Sequence, residues 1–341
     1  MDLNRYQRQY RFAPLGEAGQ RRLASARALV CGCGALGSVS ANLLVRAGVG
    51  FVRIVDRDFL EISNLQRQVI YTEADVRAEL PKAIAAANHL RNVNSDVQIE
   101  PVVSDLTFEN IGSLAADVDV IVDGTDNFET RFLLNDFSIS KGVPWVFGGC
   151  VGAEGQTMTI VPGLTRCLRC LLPDPPPPSA TESCDTAGIL APIIGLIAST
   201  QSCEALKILS GHRDAIRHRL LVVDLWDNQV RMVGLDALDP ASCPACTRRE
   251  FPWLDGRRGT LSAVLCGRNA VQLNFPGGQK PDLDELGRKL APLGQLTRNP
   301  FLLRLQIAPY TFTIFPDGRT IVAGTDDIAE ARSLHARFIG S

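Results

Sequence analysis

Residues 28–37 read Ala-Leu-Val-Cys-Gly-Cys-Gly-Ala-Leu-Gly, a short apolar strand that runs into three glycines, Gly32, Gly34 and Gly37. A second predicted strand, 52–55, ends in Asp56-Arg57-Asp58. Glycines at this spacing let the backbone approach a phosphate closely, and the helix that follows offers it unpaired N–H groups. An acid about 20 residues further on suits a ribose hydroxyl. The stretch therefore predicts a nucleotide site in a βαβ unit; the alternative is a glycine-rich turn that binds nothing.

Strands and helices alternate after this stretch, joined by short loops. The pattern predicts helices over 38–47, 79–92 and 128–140, and buried strands over 97–103 and 118–122. Such alternation is typical of a doubly wound, mostly parallel sheet that binds ligands at the carboxyl ends of its strands. Asp56 and Asp126 both fall at such ends, which favours a single site there.

The pattern changes after Pro144, where we expect antiparallel strands over 145–147, 156–162 and 220–235. The uncharged segment 186–203 is at the short limit for a bilayer span, and its hydrophobicity is lowered by Pro192, Gly195 and the polar run 199–202. A buried or subunit-interface helix over 187–210 is the better interpretation. The proline run 175–178 predicts a mobile polyproline-like loop. The predicted fold class is α/β, a Rossmann-like doubly wound sheet extended by antiparallel strands.

A polar, basic stretch at 248–259 predicts a domain boundary. We expect a nucleotide-binding domain over 1–255 and a small C-terminal α+β module over 260–341, which is about the minimum size for independent folding. The module is predicted to contain strand 270–275, helix 282–293, strand 301–307, a hairpin that turns at 316–318, and helix 327–338.

Composition and charge are those of an ordinary globular protein. Of the 341 residues, 45% are hydrophobic and 21% are charged, and the net charge is −2. A nearly neutral chain gives no argument for nucleic acid or an anionic membrane as a partner. The first residues lack the basic and then apolar start of a secretory signal, so we expect the protein in the cytoplasm.

Four of the ten cysteines form two Cys-x-x-Cys pairs, Cys167 with Cys170 and Cys243 with Cys246. Zinc prefers tetrahedral thiolate ligation, and a two-residue gap lets both sulfurs of a turn face one ion. Four thiolates leave no open coordination position, so the predicted zinc site is structural. The alternatives are a redox pair or unrelated thiols, but redox motifs seldom occur twice in one chain.

A set of polar residues near the predicted nucleotide loop bears on the chemistry. Arg67 and Lys82 can neutralise the oxygens of a triphosphate, and Asp126 at a strand end can hold Mg²⁺. Taken singly, each is more often a solvated surface residue. Their joint position favours phosphate chemistry over hydride transfer, which does not need such a cluster.

These motifs together resemble those of the MoeB/ThiF adenylyltransferases, the branch of the ubiquitin-activating superfamily that activates ubiquitin-like sulfur carriers. The resemblance runs from about residue 3 to residue 246. It rests on Arg5-Tyr-x-Arg8-Gln9, the glycine loop, Asp56-x-Asp58, Ser63-Asn-Leu-Gln-Arg-Gln68, Pro81-Lys82, Thr125-Asp126-Asn127, Glu154-Gly155-Gln156, both cysteine pairs and Ala191-Pro-Ile-Ile-Gly195. The glycine loop departs slightly from the family, because Ala35 stands where a further glycine is usual.

The resemblance implies a role for most of the polar residues. Asp56 binds the ribose of ATP, and Asn64, Arg67 and Lys82 hold the phosphates. Asp126 binds Mg²⁺ and acts on the charge that develops on the phosphates during the reaction. Arg8 reaches across a homodimer to the ATP of the partner subunit. The rest of the nucleotide site is assigned to Gly32, Gly34, Gly37, Asp58, Ser63, Gln68 and Asn127.

The reaction that the resemblance implies is adenylation. The C-terminal Gly-Gly carboxylate of the carrier attacks the α-phosphate of ATP, giving an acyl-adenylate and pyrophosphate. Alignment and charge neutralisation supply most of the catalysis, which agrees with a site of arginine, lysine, aspartate and glycine N–H groups. Cys184 lies where some relatives carry a thiol that forms a thioester or persulfide link with the carrier; the alternative is an incidental exposed cysteine.

Residues 260–341 depart from the family. They are too few for the rhodanese sulfurtransferase domain that some relatives append, and Cys266 opens a predicted strand rather than a loop-to-helix turn. The candidate roles of this module are binding of the carrier, binding of a sulfur donor and support of the dimer.

Three alternatives to a carrier-adenylating enzyme stay open. A nicotinamide-dependent oxidoreductase shares the nucleotide fold but has little use for Arg67, Lys82 and Asp126. A relative that adenylates a carboxylate on modified tRNA is disfavoured by the nearly neutral charge and by the predicted zinc site. A non-catalytic scaffold is disfavoured by the intact polar set.

Overall fold

The structure is a computed structural model that describes residues 3–176, 187–216, 218–258, 262–265, 269–273, 275 and 281–340, with the backbone alone for 262–265. The chain divides into two compact units, Met1–Arg258 and Gly259–Ser341. Cys184, Cys266 and the end of the proline run 175–178 lie outside the described residues. What the sequence predicts for them stays a prediction.

The first unit is built on an eight-stranded sheet. Its strands are β1 Arg27–Cys31, β2 Phe51–Val55, β3 Gln98–Val102, β4 Val120–Asp123, β5 Trp145–Val151, β6 Glu154–Ile160, β7 Arg219–Asp224 and β8 Gln229–Gly234. They lie in the order β3-β2-β1-β4-β5-β6-β7-β8. The strands from β3 to β5 are parallel, and those from β5 to β8 are antiparallel. The predicted doubly wound sheet with an antiparallel extension is confirmed.

The helices of the first unit follow the alternation that the sequence predicts. The longer ones are α1 Gly16–Ser25, α2 Ala35–Ala47, α3 Lys82–Val93, α4 Phe128–Lys141 and α5 Ala191–Leu209. Shorter helical turns are Leu3–Tyr6, Gln7–Tyr10, Ile62–Asn64, Glu73–Arg77, Ile111–Leu114, Leu168–Leu171, Arg213–Ala215 and Pro240–Ser242.

The start of α3 differs from the prediction of a helix over 79–92. Glu79 has a φ of 49°, and Pro81 is extended, with a ψ of 142°. A left-handed residue at 79 and an extended proline two positions later interrupt the helical turn, and Leu80, as the residue before a proline, is itself biased away from helix. Pro81 therefore precedes the first turn instead of lying in it, and Lys82 becomes the first residue of α3.

Helix α5 is the helix predicted from the apolar segment, and its apolar side chains are buried. Its Ile193, Ile194 and Ile197 are each at most 1% exposed and form a core with Leu36 of α2. The helix packs against α2 and against β4, β5 and β6. Across the described residues we find no helix with both the length and the apolarity needed to span a bilayer. The interpretation of this segment as a buried helix is confirmed.

Three parallel strands end level with one another, and this alignment positions the site. Cys31 at the end of β1 pairs with Val55 of β2 and with Asp123 of β4. The glycine loop after β1, the acids after β2 and the segment after β4 therefore leave the sheet at the same edge. A parallel sheet binds its ligands at this edge, so the predicted site residues are brought together by the register alone.

The second unit is an α+β module, as predicted. Its sheet consists of β9 Ser262–Leu265, β10 Ala270–Leu273, β11 Gln295–Asn299, β12 Leu302–Ile307, β13 Tyr310–Ile314 and β14 Thr320–Ala323, in the order β11-β12-β13-β14-β10-β9. All neighbouring strands are antiparallel. Helices α6 Leu283–Leu290 and α7 Ile328–Phe338 contribute Leu283, Leu290 and Ala331 to its core. The sequence pattern missed β9 and β11.

Candidate functional site

The glycine loop connects β1 to α2, and close backbone contacts require two of its glycines. Gly32 has a φ of 79°, a left-handed conformation that favours glycine. A Cβ on Gly37 would lie 1.8 Å from the carbonyl oxygen of Gly32. A Cβ on Gly34 would meet only the side-chain nitrogen of Gln68, at 3.8 Å, among the described residues. The loop is therefore tight at its ends and open at Gly34.

The open side of the loop has the properties of an anion site. Helix α2 begins directly after Gly34, and no side chain caps its N-terminus. The N–H groups of a first helical turn and the helix dipole together favour a negatively charged group. The buried Oε1 of Gln68 has no hydrogen-bond partner in the part of the chain that the structure describes. These features fit a polar ligand that carries a phosphate.

Asp56, directly after β2, holds the glycine loop in place. Its Oδ2 accepts a hydrogen bond of 2.6 Å from the N–H of Cys33, and its Oδ1 accepts one of 2.7 Å from the N–H of Asp58. Burial raises the pKa of Asp56, while the nearby charge of Lys82 lowers it. Each carboxylate oxygen has a second lone pair, so both can still accept from ribose hydroxyls. The sequence predicts the ribose contact but does not reveal the bond to the loop.

Lys82 lies in the wall of the same crevice. Its Nζ is 3.0 Å from Oδ2 of Asp58, and the residue is only 4% exposed. The Tyr71 hydroxyl donates to the carbonyl of Cys33 at 2.6 Å and lies 3.2 Å from the carbonyl of Lys82. Asp58 and Tyr71 thus fix the start of α3 against the glycine loop, and they hold the predicted phosphate cation beside it.

Arg57 is part of the same strand end and was not assigned a role from the sequence. Its Nη1 is 2.8 Å from Oδ2 of Asp105, which follows β3, and its Nε is 3.7 Å from Oδ1 of Asp58. Burial lowers the pKa of Arg57, but the charges of Asp105, Asp58 and Asp126 outweigh burial and raise it above the ordinary value. Arg57 therefore stays charged among acids that come from three strand ends.

The segment 61–68 has a local hydrogen-bond pattern that the sequence analysis missed. Oδ1 of Asn64 accepts a 3.1 Å hydrogen bond from the N–H of Glu61, so Asn64 caps a turn. Asn64 is 2% exposed. Arg67 donates to the carbonyl of Ser63 at 2.9 Å, and Ser63 itself is exposed. Gln68 is the residue of this segment that the structure brings against Gly34.

The segment after β4 presents Asp126 on the surface of the crevice edge. The buried Asp123 accepts hydrogen bonds from the N–H and the hydroxyl of Thr125 at 2.8 and 2.7 Å, and Arg131 donates to the Thr125 carbonyl at 2.7 Å. Asn127 caps α4 by accepting from the N–H of Thr130 at 2.8 Å. Asp126 is exposed. The segment is therefore held by hydrogen bonds on both sides of Asp126, whose carboxylate is exposed.

Arg8 lies on the helical turn Gln7–Tyr10 and is exposed. The described hydrogen bonds and ion pairs of this chain include none from Arg8 to the crevice. Its predicted action across a dimer stays a prediction.

The two Cys-x-x-Cys pairs meet in one cluster. The Sγ of Cys167 lies 3.8 Å from that of Cys170 and 3.6 Å from that of Cys243, and the Sγ of Cys170 lies 3.7 Å from that of Cys246. A disulfide needs about 2.05 Å. A tetrahedron with metal–sulfur bonds of about 2.3 Å places its sulfurs about 3.8 Å apart. Four thiols that lie within 4.8 Å of one another can hold a metal ion with this geometry.

Helix α4 anchors the cluster through a buried network that the sequence does not reveal. Asn135 accepts a 2.9 Å hydrogen bond from the N–H of Leu168. Asp136 is 3.0 Å from Nη1 of Arg169 and accepts a 3.1 Å bond from the N–H of Trp253. Burial raises the pKa of Asp136 to about 6, against the lowering effect of Arg169. The first cysteine turn and the tail after the second one are therefore bound to the same helix.

Comparison with known proteins gives consistent matches over most of the chain. The sequence model of the ThiF family matches residues 6–245. The sulfur carrier protein ThiS adenylyltransferase of Bacillus subtilis is 46% identical over 337 residues, which are 98% of this chain and 99% of that protein. The SAMP-activating enzyme E1 of Haloferax volcanii is 40% identical over 244 residues, 72% of this chain and 88% of that protein.

Solved structures share the fold at lower identity. Escherichia coli MccB with ATP has a TM-score of 0.61 at 20% identity, and the match covers 72% of this chain and 75% of that one. MccB in complex with N-formylated MccA has a TM-score of 0.63 at 20% identity over the same shares. The structural likeness shows the fold alone, whereas the family sequence model spans more than half of the chain. The chain belongs to the ThiF family.

Proposed function

We propose that this chain is an ATP-dependent adenylyltransferase that activates the C-terminal Gly-Gly carboxylate of a ubiquitin-like sulfur carrier. One observation carries the proposal: an uncapped helix N-terminus, a buried lysine and an exposed carboxylate meet at the edge where β1, β2 and β4 end level. These groups suit a nucleoside triphosphate. The names of the relatives from Bacillus subtilis and Haloferax volcanii supply the class of acceptor.

The chain's residues bind and orient ATP in this proposal. Asp56 accepts from the ribose hydroxyls, and the N–H groups that start α2 hold phosphate oxygens together with Lys82 and Arg67. Asp126 would hold the Mg²⁺ that accompanies ATP, because a carboxylate is a ligand that Mg²⁺ prefers. Gly32, Gly34 and Gly37 keep the loop backbone close enough for these contacts. The remaining contacts are assigned to Asp58, Ser63, Asn64, Gln68 and Asn127.

The reaction needs no base on the protein. An oxygen of the carrier's carboxylate bonds to the α-phosphorus, the bond from this phosphorus to the bridging oxygen breaks, and pyrophosphate leaves with the electron pair. No proton is moved, so the protein contributes alignment and neutralisation of charge. The cations Lys82 and Arg67 fit this task.

We assign zinc to the cysteine cluster, because four thiolates at tetrahedral spacing match its preference and leave no open position for substrate. Its role is to join the two cysteine turns.

We further propose that the enzyme works in the cytoplasm as a homodimer in which Arg8 contacts the ATP bound by the partner subunit. Cys184 is proposed to attack the acyl-adenylate, so that a thioester to the carrier forms, AMP leaves and the thiol proton is released to solvent. The C-terminal module is proposed to bind the carrier or a sulfur donor.

The proposal is tested by exchange of labelled pyrophosphate into ATP with the full chain and a sulfur carrier of the same organism. We expect exchange that depends on the carrier and disappears when the carrier lacks its last two residues. Reduction of a nicotinamide cofactor without any exchange would favour the oxidoreductase instead. Exchange that is independent of the carrier's C-terminus would contradict the proposed acceptor.

A further inference from the structure

The proposed phosphate chemistry leaves the role of Arg57 open, although its charged group lies at the crevice. Arg57 directly follows Asp56 at the end of β2. Its ion pair with Asp105, at 2.8 Å, joins the end of β2 to the segment after β3. The charge of Asp126, after β4 on the other side of β1, still acts on it. The guanidinium therefore lies at the mouth of the crevice, on its β2 side.

A nucleotide bound in this crevice would have its base beside the guanidinium of Arg57. With phosphates at the N-terminus of α2 and the ribose at Asp56, the base must extend beyond the ribose, away from α2. The next residue along the chain from the ribose contact is Arg57. Asp105 accepts a hydrogen bond of 2.8 Å from the edge of its guanidinium at Nη1, and the charge of Asp58 lies 3.7 Å from Nε on the same edge. Contacts at the edge restrict the plane of the group and leave its faces for stacking, and a fixed guanidinium plane is a good surface for stacking a base.

We propose that Arg57 binds the base of the nucleotide by stacking its guanidinium on the ring, with Asp105 as the residue that positions it. The inference rests on the proposed function in that it takes ATP as the ligand. It adds a binding residue that neither the motifs nor the phosphate contacts assign. Because stacking uses the plane of the guanidinium, the effect depends on arginine as such and not only on a positive charge.

The test compares two ligands on matched variants of the full chain. Affinity for ATP is measured by calorimetry, and affinity for inorganic triphosphate, which has no base, by competition at millimolar concentration. In Arg57→Lys the charge stays and the plane is lost, so we expect ATP to bind roughly 5- to 100-fold more weakly. Binding of triphosphate is expected to change less than twofold. Asp105→Asn is expected to weaken ATP binding in the same selective way, but by less.

Arg67→Lys is the control, because a residue that acts on phosphates should weaken both ligands alike. Unchanged ATP affinity in Arg57→Lys would overturn the inference, as would equal losses for ATP and triphosphate. A thermal melt of each variant identifies a loss caused by misfolding, since such a loss affects both ligands. If the unaltered chain does not bind ATP, the proposed function fails too. If the unaltered chain binds ATP and Arg57→Lys binds it equally well, this inference fails while the proposed function stands.

Discussion

Replacing Cys243 by serine is expected to remove the metal from the chain and to lower the Tm of the first unit by about 10 °C. A serine hydroxyl stays protonated near neutral pH and is a poor ligand for zinc. Loss of a structural zinc site removes binding energy that is also folding energy, here on the order of 3–5 kcal/mol for one ligand. For a domain of this size about 1 kcal/mol corresponds to 2–4 °C.

The structure explains why the loss should be large. Cys243 is 2% exposed, and its Sγ lies 3.6 Å from that of Cys167, which is 76 positions earlier in the chain. The cluster therefore closes a long loop, and without it the two cysteine segments are joined by contacts with α4 and by hydrogen bonds such as that from Arg169 to the carbonyl of Glu250. The exposed Cys203 lies outside the cluster, so Cys203→Ser is the matched control. Metal content by atomic emission and a thermal melt are the measurements. Full zinc content in Cys243→Ser would contradict the four-thiolate assignment.

The second large effect is expected at Asp126. Asp126→Asn should reduce carrier-dependent pyrophosphate exchange by about 10²–10³-fold, the usual cost of losing one group that stabilises developing charge. The amide keeps the size of the side chain but removes the negative charge that Mg²⁺ needs. Because Asp126 is exposed while its neighbours Asp123 and Thr125 bond to each other, the fold should not depend on it.

The control for this variant is Asp96→Asn. Asp96 is also exposed, but it lies before β3, at the amino end of the strands. We expect it to leave exchange unchanged, and both variants to melt at the temperature of the unaltered chain. Normal exchange in Asp126→Asn would remove this residue from the site. A drop in Tm comparable to that of Cys243→Ser would mean that Asp126 acts on the fold.

The sheet and the loop could be predicted because their signals are local. A period of two or a continuous apolar run marks the strands of the first unit, and the spacing of Gly32, Gly34 and Gly37 is recognisable within ten residues of sequence. The cysteine pairs were also recognisable, since their two-residue gap is itself the signal. The meeting of Cys167 with Cys243 in the structure agrees with that interpretation.

The partners of the site residues could not be predicted, because they are distant in sequence. Nothing near Arg57 indicates a bond to Asp105, and nothing near Arg169 indicates its pairing with Asp136 on α4. Asn64 and Asn127 show a second difficulty. Both fit a family motif for the nucleotide site, yet each also caps a turn or a helix through its side-chain oxygen. A motif residue can thus have a structural role that its letter does not reveal.

The most direct test of the proposed function is the intact mass of the carrier after incubation with this protein, ATP and Mg²⁺. We predict a product that is heavier than the carrier by one AMP on the C-terminal residue, formed with one pyrophosphate. It should form about 10²–10³-fold more slowly with Asp126→Asn and should be absent with a carrier that lacks its terminal glycines. A carrier of unchanged mass, under conditions in which the protein binds ATP, would contradict the account.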